Sequence, residues 1–104
     1  MDAIQTNGHA LGLIETAGYG AAIFAADAAL KAAAVRVVRL EPTIGSGGSL
    51  GVTVFLRGEV AAVHAAVSAG QAEANRVGRA VSADVIPSLD PNVQTGMFHG
   101  TLKL

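Results

Sequence analysis

Three histidines (His9, His64 and His99) and, along the body of the chain, seven carboxylates (Glu15, Asp27, Glu41, Glu59, Glu73, Asp84 and Asp90) are the side chains able to bind a metal or move a proton. The histidines have no metal-ligand spacing, and no cysteine is available to complete a site. Acid–base work needs two groups converging in one cleft, and no pair of these carboxylates is brought together by sequence position. Ser46 and Ser49 lie in a glycine-rich run that lacks the strand–turn–helix setting of a nucleophile elbow. As a phosphate cradle, the run Ile44 to Gly51 would need a helix N-terminus after it; here a strand follows, and no Gly-Lys-Ser/Thr ends it. It reads as a flexible hairpin connection or as a backbone-lined contact site, where glycine permits close approach. Lys31 stands apart as the sole lysine before Lys103, at the end of an alanine-rich segment where a cation suits a helix C-terminus. No catalytic constellation, cofactor or metal site is expected.

The elements that position these residues follow from the apolar pattern. HALGLIET, from His9 to Thr16, is short and apolar and predicts a buried strand. Gly18 and Gly20 punctuate the turn into AAIFAADAALKAAA, a helix whose Ile23, Ala26, Leu30 and Ala33 recur at helical period and should face a sheet. Asp27 and Lys31 fall four apart on another face, spaced to pair. VRVVRLE, from Val35 to Glu41, is a strand stopped by Pro42; GVTVFLR, from Gly51 to Arg57, is another. A second helix covers Glu59 to Arg76, with Val60, Val63, Val67, Gly70 and Ala74 inward and His64, Ser68, Gln71 and Asn75 outward, ending at Gly78. Ala80 to Ile86 is the last strand, closed by Pro87, and Asp90 before Pro91 can cap one short helical turn. The order βαββαβ is the split βαβ, ferredoxin-like α+β arrangement, a four-stranded antiparallel sheet with both helices on one face.

Composition narrows the function classes. One domain fits 104 residues, with residues 1–8 as a polar lead, 9–94 as the domain and 95–104 as a tail. Only 14% of residues are charged, below the usual quarter, which suggests surface covered by further copies of the chain. A net charge of −1 and 4% aromatics supply neither the basic face nor the stacking platform that nucleic acids need. The apolar stretch from Ala17 to Val38 is interrupted by Asp27, Lys31 and Arg36, and the start lacks a signal-peptide pattern. A soluble intracellular protein, off the membrane, is expected.

Three stretches carry a resemblance. ALGLIETAGYGAAIFAADAALKAA (Ala10 to Ala33), VTVFLRGEVAAVHAAVSAG (Val52 to Gly70) and RVGRAVSADVIP (Arg76 to Pro87) together resemble the hexameric bacterial microcompartment shell proteins, the single BMC-domain family. The resemblance implies the βαββαβ domain plus a short C-terminal helix. It further implies a homohexamer that tiles with neighbouring hexamers and other shell proteins around encapsulated enzymes, a shell in the bacterial cytoplasm. It assigns the loop after the second strand to a central metabolite pore, lined here by Thr43, Ile44, Gly45, Ser46, Gly47, Gly48, Ser49 and Leu50. Lys31 matches the lysine at the hexamer edge, and Glu15 and Arg57 match protomer-contact positions.

This chain departs from the family pattern at the loop, which is about four residues longer than K-I-G-S-G-L-V-T-V. Aligned from the left, Ser46 takes the pore serine's place; aligned from the right, Ser49 does. Ser88 replaces the basic residue that often follows V-I-P, and Ala34 replaces a common asparagine. Two other classes are open to the same layout. A ligand-sensing regulatory module predicts a dimer or tetramer, and a small enzyme predicts turnover that vanishes with a clustered acid or base.

Overall fold

The computed structural model describes residues 10–44, 48–90 and 92. His9, His99, Gly45, Ser46, Gly47, the polar lead, the short C-terminal helix and the tail lie outside the described residues. The elements run β1 (Ala10–Thr16), α1 (Tyr19–Ala32), β2 (Arg36–Ile44), β3 (Leu50–Gly58), α2 (Val60–Val77) and β4 (Ala80–Ile86). The four strands pair antiparallel in the order β2-β3-β1-β4, the expected split βαβ sheet. No helix among the described residues is long and apolar enough to cross a membrane.

Central strands β1 and β3 are buried on both faces, which is why they read as nearly continuous apolar runs. Ala10, Ile14, Val52, Val54 and Leu56 join the alanines and valines of both helices in the main core. On the other face Leu11, Phe55 and Leu89 form a smaller cluster with Leu13 and Val38. Thr16, fully buried at the end of β1, places its hydroxyl 2.8 Å from the Val52 carbonyl and 3.1 Å from that of Gly18. Thr16→Val keeps the shape and loses this bond, so it should cost about 1 kcal/mol. A thermal melt superimposable on the wild type would show the hydroxyl to be dispensable.

The inward face of α1 differs from the expected one. Ala21, Ala22, Ala25 and Ala29 are buried, whereas Ile23 is 57% and Leu30 50% exposed. The cause is the neighbouring helix: a Cβ added at Gly70 of α2 would stand 2.9 Å from the Ala25 carbonyl oxygen. At that approach only methyl groups and hydrogens fit between the layers, so the small stripe goes in and the large one is turned out. In α2 the expected Val63, Val67, Gly70 and Ala74 are buried together with Ala66, but Val60, in the first turn, is 42% exposed.

Strand β2 does not stop at Pro42. It continues to Ile44, with Pro42 opposite Val52. β2 is an edge strand, where a residue without an N–H is tolerated, so proline is no terminator there. Gly78 ends α2 as expected, its N–H donating to the Ala74 carbonyl at 2.8 Å. The Asp90 carboxylate accepts the Asn92 N–H at 2.8 Å, as an N-cap does.

Candidate functional site

The hairpin joining β2 to β3 is tighter than the sequence pattern suggested. Thr43 pairs with Gly51 and Ile44 with Leu50, so Thr43, Ile44 and Leu50, three of the residues assigned to the pore loop, are strand residues at its tip. The connection itself is 45–49, and within it Gly48 takes φ +81°, a left-handed conformation that favours glycine. At Gly51 a side chain would press on Thr43 Oγ1 at 3.0 Å and the Thr16 carbonyl at 3.4 Å, so glycine lets the strands close at the tip. Ile44 is 75% and Leu50 46% exposed. The structure thus brings Thr43, Ile44, Gly48, Ser49, Leu50 and Gly51 together at one end of the sheet.

Lys31 lies far from this tip in the chain, in the last turn of α1. Its ammonium is 2.8 Å from Asp27 Oδ2, and this bond, with the charge of Asp27, holds the lysine above its ordinary pKa. Both side chains stay mostly exposed, so the pair leaves Lys31 within reach of a neighbour. Beside it Leu30 is half-exposed, and Tyr19, Ile23 and Phe24 are exposed on the same helix. Sequence periodicity missed this outward apolar surface, although α1 carries two overlapping apolar stripes and either one could have been buried.

Glu15 sits on the sheet face away from the helices, in a row with Glu41, Thr53 and Ser82, one residue from each strand. Ser82 Oγ donates to Glu15 Oε1 at 3.3 Å. Arg57, opposite Leu11 on β1, is only 2% exposed within the single chain, and that burial lowers its pKa. His64 is exposed on α2, and no group of three or more potential metal ligands occurs among the described residues.

With this geometry in hand, three comparisons bear on the chain. The BMC domain model matches residues 10–89. The chain is 49% identical over 85 residues to the bacterial microcompartment shell protein PduA of Salmonella typhimurium, covering 82% of this chain and 86% of that protein. It is 50% identical over 78 residues to the shell protein EutM of Escherichia coli, covering 75% and 76%. It is 46% identical over 99 residues to the major carboxysome shell protein CsoS1 of Prochlorococcus marinus, covering 94% and 92%. Among solved structures, a microcompartment protein from Desulfitobacterium hafniense superposes with a TM-score of 0.75 at 33% identity, over 93% of this chain. The chain spans about half, 51%, of that structure's length.

Proposed function

The chain belongs to the BMC domain family, and from that premise we propose that six copies close into a flat ring that tiles a bacterial microcompartment shell and surrounds a pore for metabolites. It is a structural shell component in the bacterial cytoplasm, not an enzyme. Its partners are copies of itself, neighbouring hexamers, other shell proteins and the enzymes enclosed.

The observation that carries the assembly reading is the apolar surface of the single chain. Tyr19, Ile23, Phe24, Leu30, Ile44, Leu50 and Val81 are all between 46% and 75% exposed in a chain that is only 14% charged. Apolar surface distributed over a helix, a hairpin tip and an edge strand marks interaction sites on a domain too small to cover them itself. In the ring, the hairpin tip is the pore segment, and Lys31 stands at the outer edge where two hexamers meet across a two-fold axis. Glu15 and Arg57 support contacts between protomers, Arg57 from beneath the surface.

Deletion of Gly47 to Leu50 separates pore from assembly. The shortened hairpin should still give hexamers by native mass, with a changed opening on the six-fold axis by electron microscopy. Loss of the hexamer in this variant would make the hairpin an assembly element.

A further inference from the structure

We propose that an ion pair between copies closes the seam of the ring, Asp84 on β4 of one protomer with Arg39 on β2 of the next. The inference rests on the hexameric reading above and gives each edge of the sheet its occupant, a second copy of this chain.

The strand layout sets which surfaces meet. β2 runs from the end of α1, where Lys31 stands, to the hairpin tip. With Lys31 at the rim and the tip at the axis, its nine residues lie along a radius and span about 30 Å. β2 and β4 are the two edge strands of the antiparallel sheet, so they form the two flanks of each protomer. Rotation about a six-fold axis brings the β4 flank of one copy to the β2 flank of the next, a heterologous contact that closes into a ring.

The register sets which residues meet. Arg39 lies opposite Phe55, Phe55 opposite Leu13 and Leu13 opposite Asp84, one row that crosses all four strands. Phe55 and Leu13 belong to the apolar cluster on the face away from the helices, so the row lies on that face. It carries a cation at its β2 end and a carboxylate at its β4 end. Residues of one row stand at similar distances from the axis, so the Asp84 end of each copy comes to the Arg39 end of its neighbour. Asp84 is the only charged residue of β4. β2 holds a second arginine, Arg36, but the row of Arg36 ends in Ile86.

Both groups are left incomplete by the single chain. Arg39 Nε is 3.5 Å from Glu41 Oε1, longer than a charge-assisted hydrogen bond. Arg39 Nη1 is buried with no hydrogen-bond partner among the described residues. Asp84 is exposed and takes part in no ion pair among the described residues. Val81 and Ile86, on either side of it along β4, are 47% and 40% exposed, apolar surface of the kind that a neighbouring copy covers.

The experiment begins with the native mass of the full-length chain; a wild type that forms no hexamer overturns the assembly reading and the seam with it. Given hexamers, each variant is diluted and the concentration at which half the hexamer has dissociated is measured. Asp84→Arg, at an exposed position, should keep the fold by circular dichroism and raise that concentration by roughly tenfold or more, the scale of a close interfacial charge pair. Arg39→Asp should act in the same direction, and the two reversals in one chain should recover most of the loss. Unchanged dissociation in Asp84→Arg overturns the pair although the hexamer stands. So does a swapped chain that associates no better than the weaker single variant. Should Arg39→Asp, which sets a second carboxylate beside Glu41, fail to fold, a cysteine pair carries the test, since the sequence has no cysteine of its own. Within one chain positions 39 and 84 are three strand spacings apart, about 14 Å, too far for a disulfide. Oxidised Arg39→Cys with Asp84→Cys should therefore give covalent species of up to six copies on a denaturing gel, and a product that stays monomeric overturns the seam.

Discussion

Gly70→Val is expected to destabilise the chain by about 3 kcal/mol, at the upper end of what overpacking costs. Gly70 lies where α2 crosses both α1 and β1. A Cβ there would come within 2.5 Å of Ile14 Cδ1 and 2.9 Å of the Ala25 carbonyl oxygen. The isoleucine tip can rotate away, but the carbonyl belongs to the backbone of α1, so relief requires separating the helices. For a domain of this size the melting midpoint should fall by something on the order of 15 °C. Gly20→Ala is the matched control. It lies in α1 with nothing within 4 Å of the added Cβ, and helix propensity favours alanine. Its melt should stay level or rise slightly. If the two variants melt alike, the close crossing of α1 and α2 is not what holds this fold together.

The second large effect is on assembly. Lys31→Ala should leave folding and hexamers intact while extended sheets and closed shells are lost. The side chain is 76% exposed and, among the described residues, bonded to Asp27 on its own helix, so its removal disturbs no core. Between hexamers, its aliphatic stem can lie on its symmetry mate while the ammonium reaches a carbonyl across the edge, a contact repeated at every border of the tile. On the proposed edge the half-exposed Leu30 next to it would add apolar surface to the same border. Electron microscopy of the purified variant reads this directly. Sheets at wild-type abundance would remove Lys31 from the edge, and loss of the hexamer itself would place it inside the ring.

The order of elements and the antiparallel topology were legible in the sequence because the apolar runs of β1 and β3, the central strands, have no competing reading. The inward face of α1 was not. Ala21, Ala22, Ala25 and Ala29 recur at helical period as Ile23, Ala26 and Leu30 do, and hydrophobicity favours the larger set. What decides is the distance to α2, a tertiary quantity set by Gly70. Pro42 misled for a related reason, since its meaning depends on whether β2 is an edge, which only the sheet order reveals.

The character of the segment assigned to the pore was read from its glycines and serines. The register shows instead that the loop is flanked by an aliphatic rung, and that the apolar surface of α1 is outward. Both features suit the proposal that copies of the chain complete its surface. Local pattern can find such residues but does not say which side of an element they will occupy.

The central claim is the hexamer, and light scattering of the purified full-length chain at low and moderate salt tests it most directly. A closed species of about 62 kDa, six times the 10.4 kDa chain, with or without larger sheets, is the expected result. A stable monomer or dimer at micromolar concentration would contradict it, and would mean that the BMC motifs of this chain specify the fold but not the shell.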